Sequence, residues 1–82
     1  MEIIVYSSPG CFYCDQFRLL MERGSLEYVE HKIETQDEQR KFREMYPDAI
    51  GYPYVIIDGS TIGGLVDAAK FLVQKGLISA KK

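Results

Sequence analysis

Three stretches of the chain repeat apolar residues at helical spacing, and between them lie short runs that read as strands. Residues 2–6, with Ile3-Ile4-Val5-Tyr6, form a β-branched and aromatic run without a breaker. Ser7-Ser8-Pro9-Gly10 closes it, which predicts a buried strand followed by a turn. Phe17, Leu20 and Met21 then fall at i, i+3 and i+4 among Asp15, Gln16, Arg18 and Glu22, an amphipathic helix that stops at Gly24. Residues 26–33 interleave Leu26, Tyr28, Val29 and Ile33 with polar positions and predict a second strand. In Thr35-Gln36-Asp37-Glu38 the threonine and the glutamate stand three apart, as a capping box requires. The helix it opens has Phe42, Met45 and Tyr46 as its inward stripe, Asp37 and Lys41 spaced to pair across one turn, and Pro47 at its end. Tyr54-Val55-Ile56-Ile57, the turn Asp58-Gly59-Ser60 and the short strand Thr61-Ile62 predict a hairpin, broken by Gly63-Gly64. Leu65, Ala68, Ala69, Leu72 and Val73 define a last amphipathic helix ending near Gly76, and residues 79–82 are expected to fray.

The order is thus β-α-β-α-β-β-α, an α/β arrangement of four strands and three helices. Each β-α-β passage is expected to return a parallel strand through a right-handed crossover, and the hairpin adds an antiparallel one, which makes the sheet mixed. A chain of 82 residues is expected to form one domain, residues 1–82, with a single core. At 46% hydrophobic and 27% charged residues it has the balance of a folded globular chain. A net charge of −2 gives no field to hold a polyanion, so nucleic acid is not an expected partner. No apolar run approaches the roughly 18 residues of a membrane span, and a monomer in the cytoplasm is the expectation.

The chemistry concentrates at Cys11 and Cys14, the only two cysteines. A disulfide that closes so short a loop removes little unfolded-state entropy and makes a poor staple. A structural zinc ion wants four ligands, and His31, which reads as a strand surface residue, is the only histidine, so no metal is expected. A Cys-x-x-Cys redox pair is what remains, and its context fits, since it follows a predicted strand and opens a predicted helix. There the unpaired backbone N–H groups and the helix dipole favour thiolate at Cys11, which makes it the attacking sulfur. Cys14, one turn further in on the same face, can resolve the mixed disulfide that Cys11 forms and leave Cys11–Cys14 oxidised. Tyr52-Pro53-Tyr54 is a second unusual site, because a proline entering a strand cannot donate to the ladder. Either isomer of that peptide bond is open to these residues, with trans the commoner in folded proteins.

With these elements in place, the sequence resembles the glutaredoxins of the thioredoxin superfamily over nearly its whole length. The resemblance is carried by Cys11-Phe12-Tyr13-Cys14, by Tyr52-Pro53, and by Ile62-Gly63-Gly64-Leu65-Val66-Asp67. It implies a thioredoxin-like fold, a four-stranded mixed sheet flanked by three helices, and a glutathione-dependent thiol–disulfide oxidoreductase with no bound cofactor and glutathione as reducing co-substrate. It implies Cys11 as nucleophile, Cys14 as resolving cysteine, Tyr13 beside the glutathione sulfur, and Pro53 as a cis-proline. The backbone of Tyr52 would pair with the cysteinyl unit of glutathione, Gly63 and Gly64 would allow close approach, and Val66 and Asp67 would hold the γ-glutamyl end. Implied partners are disulfide-containing or glutathionylated proteins, with ribonucleotide reductase a family precedent.

The chain departs from that pattern at three positions. Ser8 and Ile50 stand where many glutaredoxins carry cations for the glycyl carboxylate, and Phe12 replaces the usual proline. The glycine end would then rest on Arg40 or Lys41 of the second helix or bind weakly; Arg40, Lys41 and Arg43 otherwise read as a solvated helix face, with a glutathione role open for one of them. A thioredoxin-like or small redoxin electron donor served by a flavoprotein reductase is the alternative these departures favour. An iron–sulfur-binding or non-catalytic thioredoxin-fold module is a second.

Overall fold

The computed structural model describes residues 1–78, so the expected fraying of residues 79–82 lies outside it. Its elements are β1 (Ile3–Ser7), α1 (Phe12–Arg23), β2 (Val29–Lys32), α2 (Gln36–Met45), β3 (Tyr54–Ile57), β4 (Ser60–Gly63) and α3 (Leu65–Gln74). The sheet has the order β2-β1-β3-β4 and is mixed, as the pattern predicts. No helix among the described residues is long and apolar enough to cross a membrane.

The two central strands, β1 and β3, are apolar on both faces because helices cover both. Ile3 and Val5 of β1 join Val55 and Ile57 of β3, Phe17 and Met21 of α1, and Ala68 and Leu72 of α3 in one core. The alternate positions Tyr54 and Ile56 meet Ile33, just after β2, and Phe42 of α2 on the opposite face, with Ile4, Tyr6 and Tyr46 packed against them. Side chains on a strand alternate between faces, so one short strand serves both layers.

β1 and β2 run parallel, with Ile4 opposite Val29. The second β-α-β passage does not return a parallel strand as expected, because β3 runs antiparallel to β1, with Tyr6 opposite Tyr54 and Ile3 opposite Ile57. Residues 46–53 carry the chain from α2 back to the end of the sheet where β1 finishes, so β3 starts beside the end of β1. This reversal brings Pro53 to the same end of the sheet as the cysteines.

Three smaller boundaries also differ from the pattern. β2 is shorter than residues 26–33, since Leu26 N–H donates to the carbonyl of Met21 and closes the end of α1. Met45 is 56% exposed, although Phe42 is buried and Tyr46 half-buried as expected. The hairpin turn is the pair Asp58-Gly59 with φ of 50° and 81°, the left-handed pair that a two-residue turn needs, and β4 therefore begins at Ser60.

The capping box forms as predicted, with Glu38 N–H donating to Thr35 Oγ1 at 3.1 Å and Thr35 N–H to Glu38 Oε1 at 3.0 Å. Glu38 also accepts the Glu34 N–H, and these backbone donors hold its carboxyl below the usual range. Thr35→Ala is expected to cost about 1 kcal/mol of stability, read from the urea midpoint, without changing redox activity.

Candidate active site

β1 ends at Ser7, a turn follows, and Cys11 is the N-cap of α1 with extended backbone, φ −90° and ψ 111°. Its sulfur accepts the Cys14 N–H at 3.1 Å, one of the donors that a helix start leaves without a backbone partner. Cys14 is 2% exposed and Cys11 half-buried, and the two sulfurs are in disulfide contact. The accessible sulfur is thus the one at the helix end, and the covered sulfur lies within reach behind it.

Tyr52-Pro53 is a cis peptide, as the resemblance implies. The Tyr52 carbonyl oxygen lies 3.6 Å from Cys11 Sγ, so this segment packs directly against the reactive group. Beside it opens a cavity of about 460 Å³, whose wall includes Tyr13, Tyr52, Pro53, Gly63, Gly64, Val66 and Asp67. Every residue that the resemblance assigns to glutathione therefore borders one space. Gly63 has φ +123°, a conformation that demands glycine, and a Cβ there would also stand 2.5 Å from Asp67 Oδ2 and displace that side chain. Gly64 is less constrained, since a Cβ would stand 3.8 Å from the Pro53 carbonyl oxygen. Gly64 is also the N-cap of α3 and offers no side chain to the first N–H groups of that helix.

Arg40 and Lys41 do not border the cavity; both turn to Asp37, with Lys41 Nζ 3.4 Å from Asp37 Oδ2. Ile50 is fully exposed on the rim, at 103%. Arg43, further along the same helix, lines an adjoining hollow with Gln39, Ile50, Gly51 and Tyr52. Burial raises the Tyr52 phenol above its usual range, and the charge of Arg43 opposes that rise. The remaining cavity wall includes Tyr54 and Leu65, which lie within the motifs but were given no role, and Asp48 and Gly51, which no motif contains. Among the described residues, no three metal-ligating side chains stand together.

A second polar group braces the redox turn from behind. Ser7, buried at the end of β1, donates from Oγ to Glu30 Oε2 at 2.6 Å, and Arg18 Nε donates to Glu30 Oε1 at 3.0 Å. Arg18 also pairs with Asp15, the residue after Cys14. The Arg18 bonds, helped by Ser7, hold the Glu30 carboxyl down to about 2 against burial. These partners are 12 and 23 residues apart, so no local motif announces them.

The glutaredoxin family model matches residues 3–62. The chain belongs to the glutaredoxin family. It is 32% identical over 76 residues to glutaredoxin 1 of Rickettsia conorii, covering 90% of this chain and 74% of that one. The crystal structure of glutaredoxin 1 from Francisella tularensis superposes with a TM-score of 0.78 at 24% identity, covering 93% of this chain and 95% of the other. A buckwheat glutaredoxin–glutathione complex superposes with a TM-score of 0.73 at 22% identity, over 92% and 70% of the two chains. Both superpositions bear out the thioredoxin-like fold. As a glutaredoxin, the chain is a glutathione-dependent thiol–disulfide oxidoreductase, and Cys11–Cys14 fits its dithiol centre.

Proposed function

We propose that this glutaredoxin reduces protein disulfides and protein–glutathione mixed disulfides with Cys11 as nucleophile, Cys14 as resolving sulfur and glutathione in the cavity beside them. The observation that carries this reading is the single cavity bordered by Tyr13, Tyr52, Pro53, Gly63, Gly64, Val66 and Asp67, next to the cysteine at a helix N-terminus. The Cys14 N–H and the end of α1 stabilise a thiolate at Cys11. That thiolate attacks a substrate disulfide and releases one thiol. Cys14 then attacks Cys11 and releases the second, leaving Cys11–Cys14 oxidised. One glutathione opens this disulfide and becomes joined to Cys11, and a second removes the first as glutathione disulfide, which restores the dithiol.

Glutathione lies in this reading with its sulfur toward Cys11 and Tyr13 and its cysteinyl backbone on Tyr52. Its γ-glutamyl carboxylate meets the uncapped start of α3 at Val66, and its ammonium meets Asp67. Arg43, across residues 50–52, takes the glycyl carboxylate in place of the missing cations at Ser8 and Ile50. Regeneration by a thiol pool requires a reducing compartment, which supports a cytoplasmic location. We further propose that the chain acts as a monomer on disulfide-containing or glutathionylated proteins, ribonucleotide reductase among the candidates.

Turnover of hydroxyethyl disulfide with glutathione, glutathione reductase and NADPH tests the reading. Wild type is expected to turn over, and Asp67→Asn to raise the KM for glutathione about fivefold with little change in kcat. The absence of a basic side chain from the main cavity favours a second reading, a small redoxin served by a flavoprotein reductase. Turnover with thioredoxin reductase and NADPH, without glutathione-driven turnover, would establish that reading and overturn the first.

A further inference from the structure

The exposed apolar groups at the cavity and beside Cys11 exceed those the glutathione placement uses. Phe12, 65% exposed, stands edge-on to the exposed Tyr13 at 5.6 Å between ring centroids. Across the cavity mouth, Ile50 and Val66 are also exposed. Apolar side chains grouped around a reactive disulfide provide contact area for a polypeptide, and a tripeptide in the cavity has no need of Phe12.

The charges narrow the choice of polypeptide. The cavity is lined by two carboxylates, Asp48 and Asp67, and by no Lys or Arg. Neither carboxylate forms an ion pair among the described residues. Arg43 lies in an adjoining hollow that shares Ile50, Gly51 and Tyr52 with the cavity. Asp67 has an assigned partner in the glutathione ammonium, whereas Asp48 has none.

We propose that this cleft selects polypeptide disulfides carrying a lysine or arginine next to the half-cystine that Cys11 attacks, with Asp48 as the residue that recognises the charge. The proposal rests on Cys11 being the nucleophile, as in the function proposed above, but not on glutathione as the reductant. The chemistry balances without an added reagent. Cys11 thiolate bonds to one peptide sulfur and expels the other as a thiolate that takes a proton from water. Cys14 then bonds to Cys11 and expels the first peptide as a thiol, so the protein dithiol is oxidised as the peptide disulfide is reduced. A basic neighbour brings positive charge against Asp48 and Asp67 during encounter and in the mixed disulfide, and an acidic neighbour meets repulsion there.

The test uses the full chain, reduced with dithiothreitol, freed of reductant and mixed in single turnover with synthetic peptide disulfides. The peptides differ only in having Lys, Ala or Glu beside the cysteine, and the released thiol is followed with time. The Lys peptide is expected to react roughly tenfold faster than the Glu peptide at low ionic strength, with the Ala peptide between them and the ratio shrinking in 0.5 M salt. Asp48→Asn should cut that ratio about threefold and Asp48→Lys should bring it to unity or below. Rates within twofold for the Lys and Glu peptides would overturn the proposal, as would a preference that survives Asp48→Lys. Because no glutathione is present, a failure here is separate from failure of glutathione-coupled turnover, which bears on the reductant alone.

Discussion

Cys11→Ser is expected to lower glutathione-coupled disulfide reduction by on the order of 10³-fold or more, to the uncatalysed background. The geometry at this position serves a sulfur anion. The N-cap position directs the Cys14 N–H at Sγ, and the first turn of α1 adds the positive end of its dipole. A serine at position 11 can accept the same hydrogen bond and keep the helix start, but its hydroxyl stays protonated near neutrality and displaces a thiolate from sulfur poorly. Folding should therefore be retained while activity is lost, which thermal unfolding run beside the assay will separate. Cys14→Ser has a different expected pattern. The Cys14 N–H donor is backbone and survives the change, so Cys11 can still attack a glutathionylated substrate, and a second glutathione can take over the resolving step. Reduction of a protein–glutathione mixed disulfide should fall by less than about tenfold, whereas reduction of a disulfide within one polypeptide should fall much further. Cys11→Ser activity above a tenth of wild type, or equal losses on both substrates in Cys14→Ser, would refute the assigned roles.

What could be read from the sequence, and what could not, follows the range of each signal. Thr35 and Glu38 stand three apart, and their capping box forms as read, because both partners belong to one helical turn. The placement of Cys11 at a helix start is equally local, set by a strand, a Pro-Gly turn and the periodicity of Phe17 and Met21. Strand direction is not local. Tyr54 to Ile57 are buried on both faces and would look the same in a strand running either way, so the reversal through residues 46–53 left no mark in the pattern. Met45 shows a limit of periodicity: its spacing puts it on the stripe, but α2 ends there and only Phe42 of that helix is buried. Arg40 and Lys41 carry the charge the glycine end needs, but both pair with Asp37, one turn earlier on the same helix, and neither borders the cavity. Arg43 and Asp48 belong to no motif. Their relation to the site depends on how the segment between α2 and β3 folds back against Pro53.

Glu30→Gln is expected to destabilise the protein by about 2 kcal/mol near neutral pH, lowering the Tm by roughly 10 °C. The Glu30 side chain is 16% exposed and that of Arg18 33%, so this pair is better shielded than the surface pairs of Asp37. Removing the charge leaves Arg18 with Asp15 as its partner, which keeps the cost below the 3–5 kcal/mol or so of a fully orphaned buried ion. The pH dependence distinguishes this mechanism from simple loss of packing. The Glu30 carboxyl is held down to about 2 by Arg18 and Ser7, against a reference of 4.5. A carboxyl depressed in the folded state contributes stability that is fully present above about pH 4.5 and is lost as pH falls through about 2. The difference between wild type and Glu30→Gln should therefore hold constant from pH 7 to about 5, shrink below that, and nearly vanish near pH 2, as measured by urea midpoints. Glutathione-coupled activity at 25 °C should stay near wild type, because Phe17 and Met21 still seat α1 in the core. A stability gap that persists unchanged to pH 2 would mean that the side chain acts through shape alone, and that the ion pair behind the redox turn contributes nothing measurable.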